Sequence, residues 1–342
     1  MSATQRDERI DLLRFIGLMM VMLAHVYPPG WLAQLRNFDV PLMVLVSALS
    51  FGASYKAESY GSYVWARVKR LVFPVWLFLT LLFTLQWLTG FPQPLPSPEK
   101  IIRTYQLLDG IGYVWVIRVF LLVALIAPFI WHFSQQQGAT MRYWWILLVA
   151  YLGYEAAVYW VLPQANAEIK WLLRDWLFYL WPYALVFAFG LKIPVLSSLQ
   201  LRRFTIGFAL LFAAFAIYFM WHHGQWYPTQ KFKYPPQHYY LVYALLVALL
   251  LWQLAPGLLQ ICRQLQLIRF VLFAGANSIW IYLWHILAVQ WWHTLSWGYE
   301  YLLVCCIACS LTWLQVTVVQ NYLLPRVSQP QHKKNLRALL TG

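Results

Sequence analysis

The stretch that decides the fold is DLLRFIGLMMVMLAHVY, residues 11–27, an apolar run with Arg14 near its start and His25 near its end. Eleven residues separate Arg14 from His25, which is close to three turns of α-helix, so both side chains are predicted on one face of one helix. At about 1.5 Å of rise per residue they lie about 16 Å apart along the axis, roughly half the thickness of a hydrocarbon core. Because an ionisable group at that depth is costly, the pair indicates a functional site.

Composition extends the membrane interpretation to the whole chain. Of 342 residues, 62% are hydrophobic and 11% are charged, with a mean hydropathy of +0.58, values that a soluble domain reaches only by exposing large apolar patches. Apolar runs bounded by Pro, Gly or charge predict an all-α, polytopic bundle of about ten membrane-spanning helices. The predicted spans lie at 11–27, 38–54, 71–89, 111–131, 143–162, 175–191, 204–221, 239–255, 270–292 and 299–323.

The basic residues of the loops predict the orientation. If the N-terminus is cytoplasmic, the inner segments hold more Lys and Arg than the outer ones, so both termini are predicted to be cytoplasmic. The longest loops, around 90–110 and 222–238, are too short to fold separately. We therefore predict one transmembrane domain over residues 1–325, followed by a short basic cytoplasmic tail at 326–342.

Several familiar motifs are absent from the sequence. It has no G-x-x-x-x-G-K phosphate loop, no G-x-S-x-G nucleophile elbow and no H-E-x-x-H zinc helix. Cys305, Cys306 and Cys309 do not have zinc spacing, so no metal is predicted. The net charge of +14 is distributed in short basic runs beside apolar spans, which membrane orientation explains more simply than nucleic-acid binding.

A basic run, Arg67, Lys69 and Arg70, stands just before the third predicted span, with Pro74 expected in the first turn of that span. Alone, such a run is typical of a positive-inside anchor whose side chains reach the interface. It also has the chemistry of a clamp for a phosphorylated ligand, since Arg offers paired donors to phosphate. Arg14 enters the membrane from the same side, and four cations there favour the clamp.

Polar residues also interrupt the ninth predicted span. Ser278, Tyr282 and His285 are spaced i, i+4 and i+7, which places them on one stripe of a helix, and Asn277 stands beside them. Hydrogen bonding between helices and direct chemistry both explain such a stripe.

Three further ionisable residues stand within or at the ends of spans. Arg118 in the fourth span and Glu155 in the fifth are candidates to pair with each other. Asp39 opens the second span, close to where His25 ends the first. Asp39 either orients an imidazole or marks the membrane interface.

Four of these segments together resemble the acyltransferase 3 family of integral membrane acyltransferases. They are the R-x10-H pair of the first span, V-P-L-M-V-L-V-S-A from Val40, R-V-K-R-L-V-F-P from Arg67 and N-S-I-W-I-Y-L-W-H from Asn277. The resemblance is closest to ten-helix members of the intercellular-adhesin and fucose 4-O-acetylase type. It implies transfer of an acyl group, usually acetyl from acetyl-coenzyme A, to a sugar hydroxyl of an envelope or secreted glycan or a lipid-linked sugar, in the bacterial inner membrane.

The resemblance also implies residue roles. His25 matches the catalytic histidine of the family, and Arg14, Arg67 and Arg70 match positions linked to donor binding. Because the basic motif reads R-V-K-R, either Lys69 or Arg70 can hold the second clamp position.

The chemistry of the residues agrees with these roles. Acyl transfer from a thioester needs a base for the acceptor hydroxyl, and imidazole, with an ordinary pKa of about 6.5, suits neutral pH. His25 is therefore the candidate, acting as a general base or as a transiently acylated relay. The candidates for holding the oxyanion or the acceptor are His285, Tyr282, Ser278, Asn277, Asp39, Glu155 and Arg118.

Two other functions fit a polytopic chain with intramembrane polar groups. One is an exporter of a glycan or lipid-linked sugar, which predicts inverted repeats with broken helices in matching halves; no clear pair is found in the sequence. The other is a non-catalytic membrane scaffold or sensor, which does not require an Arg and a His on one face. The combination of motifs favours the enzyme.

Overall fold

A computed structural model describes residues 7–291 and 296–341 of the chain. Over these residues the backbone is mostly helical and forms no β-strand. The helices are α1 (Glu8–Ala24), α2 (Gly30–Leu35), α3 (Asp39–Ser54), α4 (Tyr60–Thr89), α5 (Pro98–Tyr105), α6 (Trp115–Gln137), α7 (Met141–Ala156), α8 (Ala167–Leu172), α9 (Phe178–Lys192), α10 (Ser198–His223), α11 (His238–Gln264), α12 (Ile268–Ala276), α13 (Ser278–Trp291), α14 (Trp297–Val318), α15 (Leu324–Arg326) and α16 (Pro330–Leu340). Short π-helical turns follow α7 at Ala157–Val161, precede α9 at Leu173–Leu177 and follow α14 at Val319–Leu323.

Helices that can cross a membrane make up most of the described chain. Eight helical segments among the described residues are long and apolar enough, and the bent pair α12 and α13 makes nine. Helix α1, with 17 residues, coincides with the first predicted span and is at the lower end of spanning lengths. The predicted all-α, polytopic bundle is confirmed, because helices satisfy their backbone polar groups internally over so many apolar segments. Ten spans and cytoplasmic termini stay predictions.

The ninth predicted span is not one helix. Helices α12 and α13 meet at Asn277 and are bent by 87°. Both the backbone N–H and the side-chain amide of Asn277 donate to the Phe273 carbonyl oxygen, at 3.0 and 2.8 Å. An Asn side chain that binds the backbone in this way competes with continued helix, which explains why α12 ends here.

The third predicted span begins earlier than expected. Helix α4 starts at Tyr60, where the Ser59 side chain accepts a hydrogen bond from the Ser62 backbone N–H as an N-cap. Pro74 therefore lies in the interior of a 30-residue helix and not in its first turn. A proline removes only one intrahelical hydrogen bond, and transmembrane helices tolerate that loss. As a result, the basic run belongs to the helix itself.

The described helices belong to two compact units. The first comprises Met1–Gly17, Gly30–Lys56 and Leu122–Ile261, and the second comprises Leu18–Pro29, Ala57–Leu121 and Cys262–Gly342. Helices α1, α6 and α11 contribute residues to both units. The single domain over residues 1–325 stays a prediction.

In the first unit, α9 packs against both α3 and α7. Helices α3 and α9 approach each other closely at Gly190, where an added Cβ would lie 2.9 Å from the Cβ of Ala48. A larger side chain at Gly190 would push the two helices apart, so glycine is required there. The Tyr143 hydroxyl of α7 donates to the Ala188 carbonyl oxygen of α9 across 2.8 Å. These contacts hold α3, whose first residue is Asp39.

In the second unit, α13 packs against α14, and α4 packs against α13 and α16. The Trp284 indole of α13 donates to the Gln315 side-chain oxygen of α14 across 2.7 Å. Two hydrogen bonds anchor α16: the Trp280 indole donates to the Leu339 carbonyl oxygen at 3.0 Å, and the Gln315 amide donates to that of Leu340 at 2.7 Å. The predicted basic tail at 326–342 therefore contains a docked helix.

Candidate active site

His25 lies in the turn that follows α1. The prediction put His25 inside the first helix, but α1 ends at Ala24, and the His25 backbone N–H donates to the Met22 carbonyl oxygen at 3.1 Å. Two residues later Tyr27 has a φ of 50°, directly before two prolines. A residue before proline avoids the right-handed helical region, which explains why the helix stops here. The His25 side chain is half-buried.

The imidazole of His285 contacts the imidazole of His25. Nδ1 of His25 lies 2.9 Å from Nε2 of His285, and the two rings stack with centroids 5.0 Å apart. We call these residues the histidine pair. His285 is fully buried in α13, and its Nδ1 contacts the Tyr282 carbonyl oxygen one turn earlier. The sequence identified all three residues as candidates, and the structure brings them together in the second unit.

Tyr113 also contacts His25. Its ring packs edge-on against His25, with centroids 4.9 Å apart. The Tyr282 hydroxyl donates to the Tyr113 carbonyl oxygen, which fixes the segment before α6 next to α13. The hydroxyl proton of Tyr282 is thus used in a hydrogen bond to the backbone. Sequence reasoning missed Tyr113 because a tyrosine at the start of a predicted span is typical of an interfacial anchor.

Ser278 of the predicted polar stripe and its neighbour Asn277 lie away from the histidine pair. Ser278 begins α13 and stands seven residues before His285, which is about 10 Å along the helix axis. Asn277 is engaged in closing α12. Their candidate role at the acceptor stays a prediction.

The three residues of the basic run lie on two different sides of helix α4. The Arg67 guanidinium lies over the Tyr63 ring at 4.8 Å, and its buried Nε has no hydrogen-bond partner among the residues that the structure describes. Arg70 follows Arg67 by three residues, so both point to one side of the helix. Lys69 lies on another side, where its Nζ is 3.5 Å from the Asn335 oxygen of α16. Arg67 and Arg70 therefore share one side of α4 and Lys69 does not; the residue that holds the second clamp position stays a prediction.

Arg14 is held within the first unit. Its Nη1 donates to Oδ1 of Asp11 at 3.0 Å, and its Nη2 donates to Oγ of Ser50 at 2.6 Å. Asp11 is buried, and its ion pair with Arg14 balances the negative charge of its carboxylate. The spacing of three residues between Asp11 and Arg14 was a signal for this ion pair in the sequence, whereas Ser50 had none.

Asp39 belongs to a buried ionic triad in the first unit. Its Oδ2 accepts from Arg36 at 2.6 Å and its Oδ1 accepts from Lys233 at 3.0 Å, and all three residues are buried. Burial lowers the pKa of Lys233, and the Asp39 carboxylate counteracts that shift. Both carboxylate oxygens are therefore engaged by cations, and the structure gives Asp39 the role of an anchor between α3 and the 229–236 segment.

Glu155 has partners other than the one considered from sequence. Its Oε1 accepts from the His238 backbone N–H at 2.7 Å and from the Tyr151 hydroxyl, and its Oε2 lies 3.2 Å from Nδ1 of His238. Arg118, the partner considered from sequence, is a buried residue of α6. Glu155 thus caps the first turn of α11, a structural role.

Many membrane-crossing helices define the class of the protein as a multi-pass integral membrane protein. The model of the acyltransferase 3 family, described as an acyltransferase domain, matches residues 7–319. The chain therefore belongs to this family and is a membrane acyltransferase, which confirms the family resemblance found in the sequence. The intercellular-adhesin and fucose 4-O-acetylase type stays a prediction. No curated protein and no solved structure matches the chain.

Proposed function

We propose that the protein transfers an acyl group, acetyl in the first instance, from acyl-coenzyme A to a hydroxyl of an envelope or secreted polysaccharide or of a lipid-linked sugar. The observation that carries this proposal is the histidine pair: a half-buried imidazole, His25, held at 2.9 Å by a second, buried imidazole. A membrane acyltransferase needs one group that can take a proton from the acceptor hydroxyl near neutral pH, and imidazole meets that need.

In the proposed reaction, His25 accepts the proton of the acceptor hydroxyl and later releases it. As the acceptor oxygen attacks the thioester carbonyl, His25 takes the hydroxyl proton and becomes an imidazolium. The bond between the carbonyl carbon and sulfur of the tetrahedral intermediate then breaks, and the leaving coenzyme A thiolate takes the proton from the His25 imidazolium. A two-step route, in which His25 is first acylated and then passes the acyl group to the hydroxyl, uses the same residue.

The donor is proposed to bind through its phosphates at Arg67 and Arg70. Coenzyme A is strongly anionic, and guanidinium groups bind phosphate oxygens through paired donors. The buried Arg67 Nε that finds no partner within the described chain is the kind of donor that a bound phosphate would satisfy. Arg14 is the further donor-binding candidate, on the strength of the family motif.

The setting proposed for the reaction is the bacterial inner membrane, with membrane lipid around the bundle and the glycan as acceptor. The exporter is the alternative function. One observation supports the exporter: the helix that is broken at Asn277. An exporter built from inverted repeats would have a second broken helix at the matching position of the other half. No other bent pair of spanning helices is found among the described residues.

The test is acyl transfer in membranes given acetyl-labelled coenzyme A and a panel of glycans. We expect wild type and the His222→Ala control, which removes an exposed histidine, to transfer label, and His25→Ala to lose it by at least about 100-fold. Undiminished transfer by His25→Ala would remove His25 from the mechanism. Glycan export without any transfer would favour the exporter.

A further inference from the structure

The histidine pair and the Tyr282 carbonyl form a chain of hydrogen bonds whose direction follows from the atoms involved. A carbonyl oxygen only accepts, so Nδ1 of His285 carries the proton in the contact with Tyr282. His285 is fully buried, and among the residues that the structure describes its hydrogen-bond partners are His25 and the Tyr282 carbonyl, with no carboxylate among them. A charged imidazolium is costly to bury in such surroundings, so the other nitrogen of His285 has no proton. Nε2 of His285 is therefore an acceptor.

The proton of His25 follows from the same reasoning. Nδ1 of His25 lies 2.9 Å from an acceptor nitrogen, so it is the donor of that hydrogen bond. A neutral imidazole carries one N–H, which leaves the lone pair of His25 on Nε2. In the same arrangement His285 has no proton to offer to an oxyanion, which argues against that role for it.

We infer that His285 is a positioning residue that fixes His25 in its Nδ1–H tautomer and thereby makes Nε2 of His25 the nitrogen that takes the acceptor's proton. This inference rests on the proposed function of His25 as the base. When Nε2 gains the proton, the bond from Nδ1 to His285 becomes charge-assisted and stronger, which stabilises the imidazolium where it forms. In serine-protease triads a carboxylate does this work; here a neutral acceptor does it without burying a negative charge.

The two substitutions that separate this role from packing are His285→Gln and His285→Leu. Glutamine retains an amide oxygen that can accept from His25 and an N–H that can donate to Tyr282, whereas leucine has neither. We expect His285→Leu to lower kcat by about 100-fold or more with the KM for acetyl-coenzyme A unchanged. The kcat of His285→Gln should be at least about tenfold higher than that of His285→Leu, because His25 keeps its Nδ1–H tautomer.

A spectroscopic measurement tests the tautomer without reference to activity. In full-length protein labelled with 15N-histidine and reconstituted in lipid nanodiscs, the His25 signals are assigned by their loss in His25→Ala. We expect Nδ1 of His25 to be protonated and Nε2 unprotonated in wild type and in His285→Gln. In His285→Leu the Nε2–H form should grow.

The outcomes distinguish this inference from the function on which it rests. An Nε2–H tautomer in wild type, or full kcat in a folded His285→Leu protein, overturns the role of His285 and leaves acyl transfer intact. Absence of transfer to every acceptor overturns the function, and the wild-type spectrum still decides the tautomer. If His285→Leu does not fold, the wild-type spectrum and the His285→Gln variant carry the test.

Discussion

Arg14 donates to Ser50 across 2.6 Å, and this hydrogen bond ties the first helix to α3 within the first unit. The guanidinium uses its other terminal nitrogen for Asp11, so a single planar group holds two partners. Arg14 therefore has a structural role in addition to the donor-binding role that the family motif implies.

We expect Ser50→Ala to lower the free energy of unfolding by about 1 kcal/mol, because Arg14 loses one hydrogen bond in a partly buried setting. Thermal unfolding in detergent measures the change. Ser47→Ala is the matched control on the same helix, since the exposed Ser47 hydroxyl donates to the Met43 carbonyl oxygen of its own helix. Equal stabilities of the two variants would argue against a tie between α1 and α3.

Arg67→Gln together with Arg70→Gln should raise the KM for acetyl-coenzyme A by about tenfold or more while kcat at saturating donor changes little, because two guanidinium contacts to phosphate are lost. The KM for S-acetylpantetheine, which has no phosphate, should stay the same. Arg202→Gln, an exposed arginine of α10, is the control. A double variant that slows turnover and leaves donor KM unchanged would contradict the clamp.

Lys69→Gln is expected to act mainly on stability. Its ammonium group contacts Asn335 of α16 and lies over the Trp65 ring at 5.8 Å, so its loss weakens the docking of α16 more than the binding of donor. Limited proteolysis after residue 326 reports that docking and should be faster in the variant. A tenfold rise in donor KM from Lys69→Gln alone would instead assign the second clamp position to Lys69.

Asp39→Ala should destabilise the protein by about 3–5 kcal/mol, because it leaves Arg36 and Lys233 as buried cations without a counter-charge. Asp39→Ala with Lys233→Met should recover part of that loss by removing one of the two cations. The control is Asp109→Ala, which breaks an exposed ion pair with Arg103 and should cost about 1 kcal/mol or less. Chemical unfolding measures all three, and equal losses for Asp39→Ala and Asp109→Ala would refute the buried triad.

Tyr113→Phe should retain activity near wild type, whereas Tyr113→Ala should lower kcat by about tenfold. The contact with His25 is made by the ring, edge-on at 4.9 Å, and phenylalanine keeps that ring. The tie to Tyr282 uses the backbone carbonyl of Tyr113, which both substitutions keep. Steady-state rates of acetyl transfer decide this, and a large loss in Tyr113→Phe would assign chemistry to the hydroxyl.

Much of the fold was predictable because its causes are local. Each predicted span corresponds to a helical region, since hydrophobic length and bounding Pro, Gly and charge determine where a chain can cross a bilayer. The boundaries were less predictable. The Ser59 N-cap places the start of α4 well before Pro74. The side chain of Asn277 ends α12 inside what the sequence predicts to be a single span.

The sequence by itself determined the membrane class, the helical spans and the two histidines as candidates, because hydrophobicity and short periodic spacings are readable along the chain. Only the tertiary structure decided that His25 and His285, 260 residues apart, face each other at hydrogen-bond distance. It also decided that Lys233 lies against Asp39 and that Tyr113 packs against His25. Such partners depend on how helices pack, and packing between distant segments leaves no local pattern in the residues that meet.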